Sequence, residues 1–530
     1  MLKIKNAMIC DGSGSAPFQG DILVENGRIL AVGGLSDAPA QTVINADGMI
    51  ATPGFVDVHR HLDFNALTNP RFGELEMAQG ITTAVGGNCG LAPYPCRKEV
   101  QQEIYDFIQP CLGKCENGAV YDNVGSFLSA VDAANPYINV GTLAATGAVK
   151  ACVKGFSKTP FTAKEMDTAQ HLLCDALDQG ALGISCGIMY TPECYSTTQE
   201  YIQLLSAAAK YGRVLTSHIR GEGDGLVASV KEVIDIAKRA GLPLNISHFK
   251  SVGKKNWQRE IFKAIELIET ERAAGNPVTA DFYPYIGGST TLLTLLPPTF
   301  VCDTTAQTLA KLETACGVAE LEREIYKTHS QWDNMVLDIG WDRIVISGVT
   351  LDKNKGYQGK SIAAICSEHH FVSPVSFVAA LLAEEKGQVS IIVMSMCEED
   401  LDTVAKLPYT ALISDSLYGA MENPHPRLFS SFSKMLRSYV YERKILTLQE
   451  AVHKMSGMPA ARFSMPQKGI LRCGADADIN LFRLENIRDN ADFEHSAILA
   501  TGFDTVIVHG GIAAQKNILQ ARHGSVVKAQ

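Results

Sequence analysis

Short apolar runs alternate with longer helical patterns through most of the chain. The runs are rich in β-branched residues, and the segments between them place apolar residues three and four positions apart. This alternation is typical of βα units that build a parallel sheet. It predicts ten strands, centred on Val56, Thr83, Val140, Gly183, Leu215, Asn245, Ala280, Val345, Ile392 and Leu412.

A (β/α)₈ barrel needs only eight strands, so one or two of the ten belong to an insertion. Leu-rich and charged helical sequence places this insertion at about 286–343, between two strands. We therefore predict an α/β fold, a (β/α)₈ TIM-like barrel over 55–445 with an insertion. A barrel of this length lies at the long end of the usual range.

The two ends of the chain have a different pattern, that of short β-strands. Residues 21–32 place two strand-like runs around Asn26-Gly27, the pair favoured by a type I′ hairpin turn. Near the other end, 477–482 and 505–509 are strand-like runs bounded by Gly and Asp. We expect both ends to form one small β-sandwich domain, comprising 1–54 and 446–530.

Composition and charge exclude several classes of protein. The chain is 46% hydrophobic and 20% charged, as expected for a globular protein with a sizeable core. Its net charge of −10 is spread along the sequence, so nucleic-acid and membrane binding are not expected. The 14 cysteines lack the dense spacing of a disulfide scaffold, and the N-terminus lacks a signal-peptide pattern. We expect a cytoplasmic protein with reduced thiols.

Four histidines lie at the ends of three predicted strands. His59 and His61 follow the run at 52–58, His218 follows 213–217, and His248 follows 243–247. In a barrel of this type, the C-terminal strand ends form the active face. Neutral imidazole is a good zinc ligand, so these four residues predict a metal site on that face.

Two further strand ends offer anionic ligands. Asp415 follows 411–414 and suits a carboxylate that binds a metal weakly and also transfers a proton. Cys89 follows 84–88 and lies between glycines, and its thiolate is a soft ligand suited to zinc. These residues complete a candidate set of six metal ligands.

These motifs together resemble the amidohydrolase superfamily, and within it the N-acyl-D-amino-acid deacylases, or D-aminoacylases. The segment 53–61 is similar to the first-strand motif of the superfamily. Gly-Asn-Cys-Gly at 87–90 is similar to the motif of the deacylase branch, whose Cys replaces a carboxylated, metal-bridging Lys. The fourth-strand segment 180–187 accordingly contains no Lys. The resemblance covers nearly the whole chain.

The resemblance implies residue roles as well as a fold. It implies a tight zinc site at Cys89, His218 and His248. It implies a second, weaker metal position formed by His59, His61, Cys89 and Asp415. It further implies that the substrate carboxylate is held by Lys250, Tyr283 and Arg427, with Ser289 and Arg220 as additional candidates. Arg suits this role because its planar fork matches a carboxylate.

The implied reaction is zinc-dependent hydrolysis of the amide bond of an N-acyl-D-amino acid, a small-molecule substrate. A metal-bound hydroxide would attack the acyl carbonyl, and Asp415 would act first as general base and then as general acid. The sequence departs from the family at His59-Arg-His-Leu-Asp63, where His-Thr-His-Asp-Asp is usual. This departure keeps the ligands but changes neighbouring side chains.

Other functions remain open at this point. The same barrel hosts cyclic-amide hydrolases of the dihydroorotase or hydantoinase type and nucleobase deaminases. The missing fourth-strand Lys disfavours the cyclic-amide hydrolases, and the candidate carboxylate-binding cations disfavour both. A catalytically silent barrel that serves as a scaffold is a third alternative, which the complete set of ligand positions disfavours.

Overall fold

The computed structural model describes residues 1–34, 39–115, 118–328, 332–419 and 422–529. Its central feature is a barrel of parallel strands that coincide with eight of the ten predicted strand centres. The predicted (β/α)₈ fold is confirmed. The barrel strands are Phe55–Asp57, Ile81–Gly86, Asn139–Thr142, Gly183–Gly187, Val214–His218, Leu244–Ile246, Val278–Phe282 and Thr410–Leu412.

The barrel closes where the last strand meets the first. The amide N–H of Asp415 donates to the carbonyl of His59 at 2.9 Å. Beyond this bond, Ser416–Leu417 pairs in parallel with Arg60–His61. The closure therefore brings two predicted ligand positions, on strands separated by most of the sequence, side by side.

Helices surround the barrel and present their apolar faces to it. The helix Ala163–Asp178 begins at a capping box between Thr162 and Glu165, and its buried residues recur at helical spacing. The other α-helices in the described barrel region are Asn65–Thr68, Glu74–Met77, Gln101–Leu112, Val124–Ala134, Thr146–Lys154, Thr198–Ser206, Leu226–Ala240, Glu260–Ala273, Glu398–Lys406, Arg427–Lys434, Leu448–Met455 and Gly457–Arg462.

Both chain ends contribute to one continuous nine-stranded sheet. Ile50–Pro53 pairs antiparallel with Ile479–Phe482 and thereby joins the N-terminal strands to the C-terminal ones. Apolar side chains from both ends form a separate core beneath this sheet. The remaining strands are Leu2–Ile9, Phe18–Glu25, Arg28–Gly33, Thr42–Asn45, Phe503–Val508, Gly511–Gln515 and Ile518–Leu519.

The insertion is a compact unit with its own core, and it is longer than the predicted 286–343. Gly288–Thr291, Ile344–Gly348 and Ser390–Val393 form a three-stranded antiparallel sheet. The two surplus strand centres, Val345 and Ile392, therefore belong to the insertion and not to the barrel. The helices packed on this sheet are Thr305–Leu312, Ala315–Glu324, Met335–Ile339, Ile362–His369 and Pro374–Glu384.

Within the described ranges, no single helix is long and apolar enough to cross a membrane. Two consecutive apolar helices, Ile362–His369 and Pro374–Glu384, pass such a test only together and meet at a bend of 96°. Their apolar side chains are buried in the core of the insertion.

Candidate metal centre and substrate cavity

Cys89 lies at the centre of a buried cluster of imidazoles. Its Sγ is 3.2 Å from Nε2 of His59, 3.9 Å from Nδ1 of His218 and 3.7 Å from Nε2 of His248. Two triads, one of His59, His61 and Cys89 and one of Cys89, His218 and His248, each keep their potential ligand atoms within 4.8 Å of one another. The thiol belongs to both triads, so it occupies the bridging position.

Asp415 completes the cluster from the last barrel strand. Its Oδ1 lies 3.4 Å from Nε2 of both His59 and His61. Its other oxygen, Oδ2, lies 2.8 Å from Nη1 of Arg427. The structure therefore brings all six predicted ligands together in one buried cluster.

Three of these ligands have left-handed backbone conformations. The φ angles are +54° at Cys89, +35° at His248 and +51° at Asp415. Non-glycine residues rarely adopt positive φ, and such residues concentrate at functional sites where the surrounding structure holds them in place. Each of these residues lies two or three positions beyond the end of a barrel strand.

Burial dominates the electrostatics of the cluster. It lowers the pKa values of His59, His218 and His248 well below the ordinary value, which keeps their imidazoles neutral and able to bind a metal. Burial also raises the pKa of the Cys89 thiol, with a further increase from Asp415. A thiolate at this position consequently requires a bound cation, so metal binding and deprotonation are coupled.

Asp415 behaves differently from the neutral imidazoles. Burial alone would raise its pKa, but the Arg427 guanidinium and His61 hold the pKa of the carboxyl well below its usual range. The carboxylate is therefore ionised at neutral pH. It could serve as an anionic ligand for a divalent cation at this end of the cluster.

A polar network supports His248 from behind. Its Nδ1 lies 3.0 Å from Oε1 of Glu222, and its backbone N–H donates to Asp281. The same Glu222 oxygen lies 2.5 Å from Nζ of Lys250. A partner on the second ring nitrogen fixes the tautomer and orientation of a metal-binding imidazole. Glu222 and Asp281 are therefore supporting residues to which the sequence motifs assigned no role.

The cluster opens into a cavity of about 780 Å³, including its open mouth. Four of the five predicted carboxylate ligands line this cavity: Lys250, Tyr283, Ser289 and Arg427. The Cζ of Arg427 lies 4.7 Å from the ring centre of Tyr283. The Nε of Arg427 is buried and has no hydrogen-bond partner among the described residues. This guanidinium retains capacity for an incoming anion.

The fifth candidate, Arg220, does not line the described cavity. Its Nε and Nη2 donate to the two carboxylate oxygens of Glu232 at 2.9 and 3.0 Å. Its remaining contacts are to the carbonyls of Cys194 and Ser196, at 2.9 and 3.1 Å. The fork is thus already occupied by protein oxygens, and Arg220 joins the loop after the fifth strand to neighbouring elements.

Matches to known proteins agree with this geometry. Models of the amidohydrolase family match residues 50–245 and 403–514. An N-acyl-D-glutamate deacylase of Alcaligenes xylosoxydans xylosoxydans is 29% identical over 96% of this chain and 92% of its own length. A D-aminoacylase of the same organism is 28% identical over 100% of this chain and 97% of its own length. The chain belongs to the amidohydrolase family.

A solved structure extends the match to three dimensions. An N-acyl-D-glutamate deacylase from Bordetella bronchiseptica, complexed with zinc and a phosphonate inhibitor that mimics the tetrahedral intermediate, is 29% identical to this amidohydrolase. The two structures superpose with a TM-score of 0.84 over 100% of this chain and 99% of the other. The resemblance to the deacylase branch, first drawn from motifs, is confirmed.

Proposed function

We propose that this amidohydrolase hydrolyses the amide bond of N-acyl-D-amino acids and releases a carboxylate and a free D-amino acid. One observation carries the proposal: a buried thiol–imidazole–carboxylate cluster shares a cavity with Arg427, whose Nε lacks a partner among the described residues. The first feature suits metal-assisted hydrolysis, and the second suits a substrate with a free carboxylate. The full-length relatives named N-acyl-D-glutamate deacylase and D-aminoacylase support the same reaction.

The donor set fits zinc, which prefers nitrogen and sulfur ligands at short range. Cys89, His218 and His248 would hold a tightly bound ion. The second, weaker position would use His59, His61 and Asp415, with Cys89 shared between the two. Zinc supplies Lewis-acid polarisation of a carbonyl and lowers the pKa of a water molecule.

Asp415 is the residue placed to move protons in this reaction. Its Oδ1 faces the imidazoles of His59 and His61, whereas Oδ2 is held by Arg427. Oδ1 can take a proton from the attacking water and return it to the nitrogen of the leaving amine. The amine requires this proton because an amide anion is a very poor leaving group.

Lys250 can join Arg427 in holding the substrate carboxylate. In this structure its Nζ contacts Oε1 of Glu222 at 2.5 Å, Nδ1 of His248 at 2.9 Å and the carbonyl of His248 at 3.0 Å. In the tautomer that keeps the lone pair on Nε2, the Nδ1 proton of His248 is donated to Glu222. Nδ1 then no longer accepts from Lys250, and one ammonium proton becomes available to the substrate.

The charges around the cavity favour a substrate with a neutral side chain. Among the described lining residues, the cations are Lys250 and Arg427, and each already faces a carboxylate. Asp333 adds a further acidic group to the wall. A second carboxylate on the substrate would therefore meet no additional cation. We expect derivatives of neutral D-amino acids to be hydrolysed faster than those of D-glutamate or D-aspartate.

A substrate panel tests the proposed function. The zinc-loaded enzyme is incubated with N-acetyl-D-amino acids, their L-enantiomers, a hydantoin and an aminopurine, and the released amine or ammonia is quantified. We expect hydrolysis of the D-series only. Opening of the hydantoin or deamination of the aminopurine, without cleavage of the D-series, would replace this proposal with one of the alternative activities.

A further inference from the structure

A second cavity lies beside the catalytic cavity, between the barrel and the insertion. It encloses about 750 Å³, including its open mouth. Phe107 and Met189 contribute to its barrel side, and Leu293, Leu296 and Val301 contribute to its insertion side. Its described lining contains no Lys, Arg, His, Asp or Glu. This composition suits an apolar ligand and disfavours an ionic one.

The two cavities share a wall formed by Leu91, Cys111, Met189 and Tyr190. Leu91 follows the central ligand Cys89 by two residues. The Tyr190 ring lies 4.7 Å, centroid to centroid, from the imidazole of His218. The shared wall is therefore adjacent to the metal ligands. A substrate group long enough to pass this wall would reach the second cavity.

The carboxylate-binding groups lie on the other side of the ligand cluster. Lys250, Tyr283 and Arg427 follow the sixth, seventh and eighth barrel strands. They line the catalytic cavity but not the second cavity. Leu91 and Tyr190 follow the second and fourth strands, which lie across the barrel from the sixth and eighth. The site is thus polar on one side, where its two cations lie, and apolar on the other.

An N-acyl amino acid likewise has a charged end, its carboxylate, and an apolar end, its acyl chain. Its carboxylate and its acyl chain lie on opposite sides of the scissile carbonyl carbon. With the carboxylate at Lys250 and Arg427, the acyl chain is directed toward the shared wall. Resting on the proposed function, we propose that the second cavity binds the apolar acyl chain and that the preferred substrates carry medium-chain fatty acyl groups instead of acetyl.

The expected size of the preference follows from apolar burial. Transfer of one methylene from water to an apolar site favours binding by about fourfold. Hexanoyl has four more methylenes than acetyl, and ordering of the chain offsets part of their gain. We expect kcat/KM to rise about tenfold to a hundredfold from N-acetyl to N-hexanoyl derivatives of one neutral D-amino acid.

An acyl-length series on the zinc-loaded enzyme measures this preference. Acetyl, butanoyl, hexanoyl and octanoyl derivatives of D-alanine are compared through kcat/KM. A parallel series keeps the acetyl group and lengthens the D-amino acid side chain by the same number of methylenes. A preference that follows the side chain and not the acyl group overturns the assignment of the cavity to the acyl chain.

Variants that fill the second cavity test whether the acyl-length preference depends on it. Leu293→Trp should lower kcat/KM for the octanoyl substrate at least tenfold, while Leu293→Met, a volume-conserving control, should leave it near the wild-type value. Val301→Trp is a second filling variant from a different part of the wall. A melting temperature near that of the wild type identifies the folded variants, and unchanged octanoyl hydrolysis in both of them overturns the proposal.

The design separates failure of this inference from failure of the proposed function. Cleavage of N-acetyl-D-alanine with no gain from longer chains keeps the proposed function and rejects the acyl subsite. Cleavage of no derivative in either series rejects the proposed function. In that case, calorimetric titration with octanoate decides whether the cavity binds an apolar chain, with loss of binding in Leu293→Trp as the expected result and no binding to the wild type as the contrary one.

Discussion

His59, Arg60 and His61 are consecutive, yet the two sides of this strand end have different chemistry. On the inner side, His59 and His61 face Asp415, and their Nδ1 atoms have no hydrogen-bond partner among the described residues. On the outer side, Arg60 is fully buried and bonds through all of its guanidinium nitrogens. Its partners are Asp57, Ser414, Tyr418 and Glu76.

The difference separates a structural use of buried charge from a functional one. Buried polar groups are normally satisfied by protein or water, so a complete network such as that of Arg60 indicates a structural role. A cluster with unused donors and acceptors indicates a ligand. The Arg residue that replaces the usual family residue between the two histidines therefore contributes to the barrel wall and leaves the candidate metal ligands in place.

The largest expected effect is a loss of turnover when Asp415, which faces the two inner histidines, is replaced. Asp415→Asn removes the carboxylate that we propose transfers the proton, so we expect kcat to fall about 10²- to 10⁴-fold while the zinc content is unchanged. Steady-state kinetics and elemental analysis of the purified variant measure both quantities. Turnover near the wild-type rate, with the same zinc content, would contradict the assigned role.

Replacement of Arg60, on the outer side, should lower the free energy of unfolding. Arg60→Met leaves Asp57 and Glu76 as buried carboxylates without their cation, and we expect the free energy of unfolding to fall by about 3–5 kcal/mol. Arg71→Met is a matched control because Arg71 pairs with Glu74 on the exposed surface, where the loss should be much smaller than in Arg60→Met. Urea denaturation of the three proteins provides the comparison. Equal losses in both variants would show that the buried network does not stabilise the barrel.

The inner side of this contrast could be predicted from the sequence, since barrel geometry brings distant strand ends to one face. The buried network of Arg60 could not, because its partners lie far apart in the sequence. The gathering of the six candidate ligands was predictable because each follows an apolar run. The location of Val345 and Ile392 was not predictable, because a short β-branched run has the same pattern in a barrel and in a small antiparallel sheet. Glu222 lies only four residues beyond His218, but its role depends on contacts with Lys250 and His248.

Lys454 represents a third use of buried charge, because its ammonium bonds to neutral acceptors. Its Nζ donates to the carbonyls of Leu407 and Thr410 and to the Thr410 hydroxyl, and burial lowers its pKa to about 8. The unfolded chain holds this proton up to about pH 10.4. The unfolding free energy should therefore increase between pH 8 and 10.4.

The expected gain from Lys454 is on the order of 3 kcal/mol. Urea denaturation at several pH values measures it, and Lys454→Met provides the control because it lacks the titrating group. The difference in unfolding free energy between the two proteins should change with pH only over this range. A constant difference would show that the pKa of Lys454 is not lowered by burial.

The smallest expected effect is a change in KM that distinguishes Arg427 from Arg220. Both follow barrel strands, but Arg427 lines the cavity with an unused Nε, whereas the fork of Arg220 is occupied by Glu232 and backbone carbonyls. Lys cannot reproduce the planar fork, and a charge-assisted hydrogen bond is worth about 1.5–3 kcal/mol. Arg427→Lys should therefore raise KM about 10- to 100-fold, measured by steady-state kinetics on an N-acyl-D-amino acid. Arg220→Lys should change KM less than about threefold and instead lower the melting temperature. A large KM increase in Arg220→Lys alone would show that Arg220, and not Arg427, binds the substrate.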